Sequence, residues 1–165
     1  MAERDRSTPD QQFEAFYRAN WRDAARWATA LCGDVARGEE VAQETFLRIA
    51  PRFALLDRPD AYLRRAIVNA ARQARRSATR RGSRELRASL LTPDEPDRTA
   101  DAIDPDVLHA LDALPTTQRA VLVLRYWADW DEGDIADALG CRGATVRSHA
   151  KRGLDRLRTL LEDTR

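Results

Sequence analysis

The residues with the most chemistry to offer lie in one stretch, DEGDIADALGCRGATVRSHAKRGLDRLRTLL, Asp131 to Leu161. Four carboxylates, Asp131, Glu132, Asp134 and Asp137, precede Gly140, and six cations, Arg142, Arg147, Lys151, Arg152, Arg156 and Arg158, follow it. Clustered guanidinium and ammonium groups suit a polyanion, because they pair with phosphates and reach base edges through charge-assisted hydrogen bonds. Catalytic chemistry finds no comparable cluster. The carboxylates elsewhere are dispersed, His109 and His149 are isolated, and no nucleophile–base pair or metal-ligand spacing is present. Cys32 and Cys141 stand far apart without a CxxC or Cys/His pattern, so they read as two reduced thiols near helix ends rather than zinc ligands. The expectation is a binding protein, not an enzyme, with no cofactor and no metal.

A net charge of +1 over 165 residues hides strong sorting. Residues 1–60 carry 9 basic and 11 acidic groups, 61–91 carry 9 and 1, 92–139 carry 3 and 12, and 140–165 carry 7 and 3. The block charges are therefore −2, +8, −9 and +4. Two basic blocks separated by an acidic one imply two separate contacts with a polyanion. A general preference for arginine, with Lys151 the sole lysine, raises the basic count but cannot sort the acidic residues elsewhere.

The elements that must position these charges follow from apolar spacing. Asp131 with Asp134 three residues on resembles a capping box, and acids there complement the helix dipole. Ile135, Ala136 and Leu139 face inward, and Gly140 supplies a left-handed C-cap. After the turn Cys141–Gly143 a second helix buries Val146, Ala150, Gly153, Leu154 and Leu157. Ala144, Ser148, Lys151 and Arg152 point the other way, with Thr145 and Arg147 at the margins. This is a helix-turn-helix with a basic outer face, suited to the DNA major groove. Arg142 stands where a Ser or Thr cap is expected, leaving Gly143 as a weaker cap.

Upstream, Phe13, Phe16, Tyr17, Trp21, Ala24, Ala28 and Leu31 mark a first helix, broken at Gly33-Asp34. Val41, Ala42, Thr45, Phe46 and Ile49 mark a second, ended by Pro51. FALLDRPD reads as a loop, and Asp60 caps a third helix with inner residues Leu63, Ala66, Ile67, Ala70 and Ala74. Residues 80–104 lack sustained apolar spacing and read as a linker, with a short helix near 85–91. Asp104-Pro105 then starts a helix with Val107, Leu108, Leu111 and Leu114 inside, stopped by Pro115. Thr116 or Thr117 caps the next, with Val121, Leu122, Leu124 and Tyr126. The expected fold is all-α: a disordered tail at 1–9, a helical domain at 10–79, a flexible linker at 80–104, and a helix-turn-helix domain at 105–162. No apolar run reaches the roughly 20 residues of a membrane span, and the N-terminus has no apolar core of a signal peptide. A cytoplasmic protein without membrane insertion is expected.

GEEVAQETFLRIA (38–50), DAYLRRAIVNAARQARR (60–76) and ALDALPTTQRAVLVLRYWADWDEGDIADALGCRGATVRSHAKRGLDRLR (110–158) together resemble the extracytoplasmic-function (ECF) type of bacterial RNA polymerase sigma factor. The family pattern runs A-E-D-L-V-Q-E-V-F-L, then W-L-x-x-I-A-x-N, then A-L-x-x-L-P-x-x-Q-R, E-I-A-x-x-L-G and T-V-K-S. Tyr62 replaces the usual Trp, a core change; Asp134 replaces Glu; Arg142-Gly143-Ala144 replaces Ser-x-Gly; and His149, expected to face DNA, stands where Arg is common.

The resemblance implies sigma region 2 at 10–79, binding polymerase and melting the −10 element, and sigma region 4 at 105–162, reading the −35 element. Gln43, Glu44, Leu47 and Arg48 would contact polymerase. Arg65, Asn69, Arg72, Arg75 and Arg76 would hold the unwound strand, with an extruded base near LLDRPD. Ala144, Thr145, Arg147, Ser148, Lys151 and Arg152 would read the −35 duplex. Implied partners are core RNA polymerase, promoter DNA and a cognate anti-sigma factor. The 25 residues of 80–104 span about 25–30 Å as a coil and roughly 85 Å extended, against about 50 Å between the two elements. The alternative is a free-standing helix-turn-helix regulator, which would need a dimer face or ligand pocket.

Overall fold

Local capping sets where the helices begin. In the computed structural model, which describes residues 8–82 and 103–163, Thr8 and Gln11 form a reciprocal capping box that starts α1 (Pro9–Cys32). Thr8 and Pro9 thus belong to the first helix rather than to a tail. Gly33, at φ 80°, ends α1 with its N–H on Thr29 O. Asp34 then caps α2 (Val35–Ile49) by accepting from Arg37 N at 2.7 Å.

The stretch FALLDRPD, read as a loop, is non-helical only at 56–58; its first residues, Phe53–Leu55, belong to a 3-10 helix, Ala50–Leu55. Pro51 ends the α-helical ladder by removing a donor, but its φ suits a tighter helical turn. α3 (Pro59–Gly82) starts one residue before the expected cap, so Asp60 lies in its first turn. It also runs past 79, which moves residues 80–82 from linker to helix; the expected short helix near 85–91 lies outside the described residues.

Phe46 is the hub of the N-terminal half. It is 2% exposed, with Tyr17 at 4.9 Å edge-on and Phe16 and Trp21 each at 6.1 Å. Leu63, Ile67, Val68 and Ala71 close this core from α3. Ala66 and Ala70, expected inside, are half-buried because Val68 and Ala71 take the inner positions. Tyr62, expected in the core, is 36% exposed, and its hydroxyl accepts from Arg52.

In the C-terminal half, α4 (Pro105–Asp112) is capped by Asp104, which accepts from Asp106 N at 2.8 Å. Neither threonine caps α5 (Thr116–Tyr126). Pro115 holds the cap position without a side-chain bond, and Thr116 already lies in the helix. Tyr126, expected inside, is 53% exposed. Asp129 then takes φ 52°, a left-handed conformation that Asp tolerates, and the chain reverses into α6 (Glu132–Leu139) and α7 (Gly143–Glu162). Every regular element among the described residues is helical.

The two halves pack together through α1. Trp27 Nε1 donates to Trp127 O at 3.3 Å, and the Arg26 guanidinium lies 5.3 Å from the Trp127 ring centre. Arg75 of α3 pairs with Asp112 Oδ1 at 2.7 Å and donates to Cys32 O at 2.8 Å. Arg119, fully buried on α5, reaches back to Leu31 O and contacts Asp112 Oδ1 at 3.0 Å.

Candidate nucleic-acid interface

The helix-turn-helix is built as its residue types require. Asp131 Oδ1 accepts from Asp134 N at 2.8 Å. Gly140 sits at φ 65° with its N–H on the last turn of α6, and Cys141 N reaches Ala136 O at 2.9 Å. Ile135, Val146, Ala150 and Gly153 lock α6 and α7 onto α5. Gly153 permits the close approach, since a Cβ there would stand 3.2 Å from the Leu122 side chain.

Ala144, Arg147, Ser148, Lys151 and Arg152 are exposed on α7, and Thr145 is half-buried. Two of the arginines are already engaged. Arg147 donates to the Glu132 carboxylate. Arg152 folds back along its own helix, donating to Ser148 O at 3.2 Å and Ser148 Oγ at 2.9 Å. His149 does not stand on the outer face. It is half-buried, and its Nδ1 is sequestered without a hydrogen-bond partner. Arg142 is the N-cap of α7 by backbone geometry and makes no side-chain cap bond, so Gly143 is the first helical residue rather than the cap. Leu154, expected in the buried stripe, is 39% exposed and lines a groove with Val107, Leu157 and Leu161.

On α3, Asn69, Arg72, Gln73, Arg76 and Ser77 surround one polar hollow. Arg65 lies elsewhere. With Arg58, Asp60 and Arg64 it lines a cleft of about 320 Å³ whose far wall is Trp130 and Asp134. Asp57, Arg58, Pro59 and Asp60, from the LLDRPD stretch expected near an extruded base, therefore face the C-terminal half. Arg75 departs furthest from expectation: it points to Asp112 and Cys32 in the domain contact instead of joining the Asn69–Arg76 surface. On α2, Gln43, Glu44, Leu47 and Arg48 form one exposed face. Leu47 is 67% exposed, and Glu44 and Arg48 pair at 3.3 Å one turn apart.

Sequence reasoning missed the Asp112–Arg119 centre. Burial pulls the Asp112 carboxyl upward, but the Arg75 hydrogen bond and the Arg119 charge outweigh it and hold it below the usual carboxylate range. Burial in turn pushes Arg119 below its ordinary value. The available signal was a lone arginine, Arg119, in front of the apolar run Ala120–Leu124. Among the described residues no group of three or more His, Cys, Asp or Glu is placed to hold a metal, and no helix is long and apolar enough to cross a membrane.

A helical molecule with a helix-turn-helix in one half and a separate arginine-lined surface in the other has the class features of a DNA-binding protein. Comparison with known proteins narrows the class. Residues 16–81 match Sigma-70 region 2, and residues 106–157 match Sigma-70, region 4. The chain is 32% identical to the RNA polymerase sigma-E factor of Streptomyces avermitilis, over 92% of this chain and 86% of that one. It is also 32% identical to the ECF RNA polymerase sigma factor SigL of Mycobacterium tuberculosis, over 84% and 82%. The fold matches the sigma factor RpoE from Bartonella quintana, solved with the anti-sigma factor NepR, at TM-score 0.72 and 20% identity over 93% of this chain and 99% of that one. It also matches CnrH, solved with the cytosolic domain of CnrY, at TM-score 0.63 and 22% identity over 92% and 88%. The chain belongs to the ECF sigma factors of the sigma-70 family and serves promoter-directed transcription.

Proposed function

We propose that the chain binds core RNA polymerase through the exposed α2 face of Gln43, Glu44, Leu47 and Arg48, and divides promoter recognition between its two halves. In this reading α7 reads the −35 duplex with Ala144, Thr145, Arg147, Ser148, Lys151 and Arg152. The α3 surface of Asn69, Arg72 and Arg76, with Arg65 near residues 57–60, holds the melted −10 strand. The observation that carries the reading is the pair of cationic surfaces on different halves of one chain, of which only the second is a helix-turn-helix. A single strand needs a cationic track and base-stacking or base-holding groups, whereas a duplex needs a helix in its groove. Work with polymerase on a chromosome puts the protein in the cytoplasm. The structural relatives solved with the anti-sigma factor NepR and with the cytosolic domain of CnrY support a cognate anti-sigma factor as a partner here.

Permanganate footprinting of unpaired thymines tests this. Strand opening is expected only with core polymerase present, and Asn69→Ala with Arg72→Ala abolishes it. Extruding a base costs a few kcal/mol, which the chain alone does not offset. Tight, specific duplex binding by the free chain, with no opening in the polymerase complex, would instead mark a free-standing regulator.

A further inference from the structure

Glu132 lies on the supporting helix, yet its carboxylate serves the reading helix. It is the first residue of α6 and accepts from Arg147, fifteen positions later on α7. Its side chain is 32% exposed, that of Arg147 63%. The carboxylate also lies against the first residue of α7. A Cβ on Gly143 would collide with Glu132 Oε1, so the glycine is what leaves room for it. Arg142, at the N-cap, offers no side-chain acceptor.

This arrangement does little for folding. Exposed ion pairs contribute little to stability, and glycine is a poorer helix former than alanine. Its consequence lies on the DNA side. The N-terminus of a helix in the major groove attracts backbone phosphate, and a carboxylate seated there repels it. An arginine held at one nitrogen keeps further donors of its planar fork for an acceptor pair such as guanine O6 and N7. Released, the same side chain is long enough to settle on a phosphate, a contact that carries no sequence information.

We propose that Glu132 is a specificity-setting positioning residue: it holds Arg147 for one base pair of the upstream element and denies it to the DNA backbone, with Gly143 making the space. The proposal rests on the reading of α7 as the DNA-reading helix.

The test measures binding of the polymerase holoenzyme to promoter duplexes carrying every base at each upstream-element position, across a salt series. Glu132→Gln is expected to lower discrimination at one base-pair position by about tenfold and leave the other positions ranked as before. The slope of log K against log salt should steepen by about 0.9, the value of one added phosphate contact. Gly143→Ala should reproduce both effects by displacing the carboxylate, while thermal melting shows α7 no less stable. Uniform weakening on every duplex, or an unchanged base profile and salt slope in both variants, overturns the proposal. Arg152→Ala separates the two levels. If it still damages upstream binding while the other two variants are silent, only the role of Glu132 and Gly143 is lost. If all three are silent, the assignment of α7 falls with it.

Discussion

Arg119 ties the two halves together through one buried guanidinium. It is fully buried, and its guanidinium serves the carbonyls of Leu31, Asp112 and Leu114 as well as the Asp112 carboxylate. Those acceptors come from both halves of the molecule. Removing a buried donor leaves its acceptors dry at roughly 1–3 kcal/mol for an unsatisfied group. Arg119→Leu is therefore expected to lower stability by about 3 kcal/mol, read from urea midpoints at constant slope. Arg119→Lys should recover only part of it, because an ammonium cannot reproduce the planar fork. Nearby, burial pushes the Cys32 thiol up to about 11, against the pull of the Arg37 and Arg75 charges. Its thiolate is scarce at neutral pH, so iodoacetamide should modify the half-exposed Cys141 first, as peptide mapping of a time course would show.

Helices were legible in the sequence wherever capping chemistry and apolar spacing agreed. Asp34, Asp104, Asp131 and Gly140 mark boundaries at which the structure places a cap. The failures have distinct physical causes. At Ala50–Leu55 a proline ended the α-helix without ending helical geometry, a distinction apolar periodicity does not carry. Tyr126 and Leu154 kept the inward spacing, but Tyr126 is the last residue of α5 and Leu154 lines an open groove between α4 and α7. Arg75 shared its type and helix with the strand-binding candidates, and only the position of the other half diverted it to Asp112. Gly38 left no trace in the pattern at all, yet it decides how closely α1 and α2 approach: a Cβ there would collide with the Thr29 backbone and hydroxyl. Backbone cannot swing aside like a side-chain tip. Gly38→Ala should therefore destabilise the N-terminal half by about 1–3 kcal/mol through overpacking, despite alanine's better helix propensity. A melting temperature at or above that of the parent would show that the α1–α2 contact tolerates the shift.

Taken whole, the molecule is held closed by contacts between its two halves. Trp27 rests on Trp127, and residues 57–60 share a cleft with Trp130 and Asp134. Any separation of the halves would have to break this contact. Its central ion pair, Arg75–Asp112, has side chains 25% and 50% exposed, and pairs so open to water contribute only about 0–1 kcal/mol. Asp112 matters more than its own pair because it faces Arg75 and Arg119 together. Its carboxyl is held below the usual range, so its contribution is fully present above the unfolded value of about 3.9 and is lost as pH falls through the lower folded value. Between pH 6 and 8 the Asp112 contribution should therefore be constant, and acidification below about 4 should loosen the closed form. Asp112→Ala should loosen it at neutral pH, seen as a larger radius of gyration in small-angle scattering and a longer distance between dyes on α2 and α7. Arg75→Gln breaks the same pair without stranding Arg119, and it guards against mistaking unfolding for opening. If both variants keep the parent's dimensions while circular dichroism stays native, the Trp27–Trp127 and Arg26–Trp127 contacts hold the halves together instead.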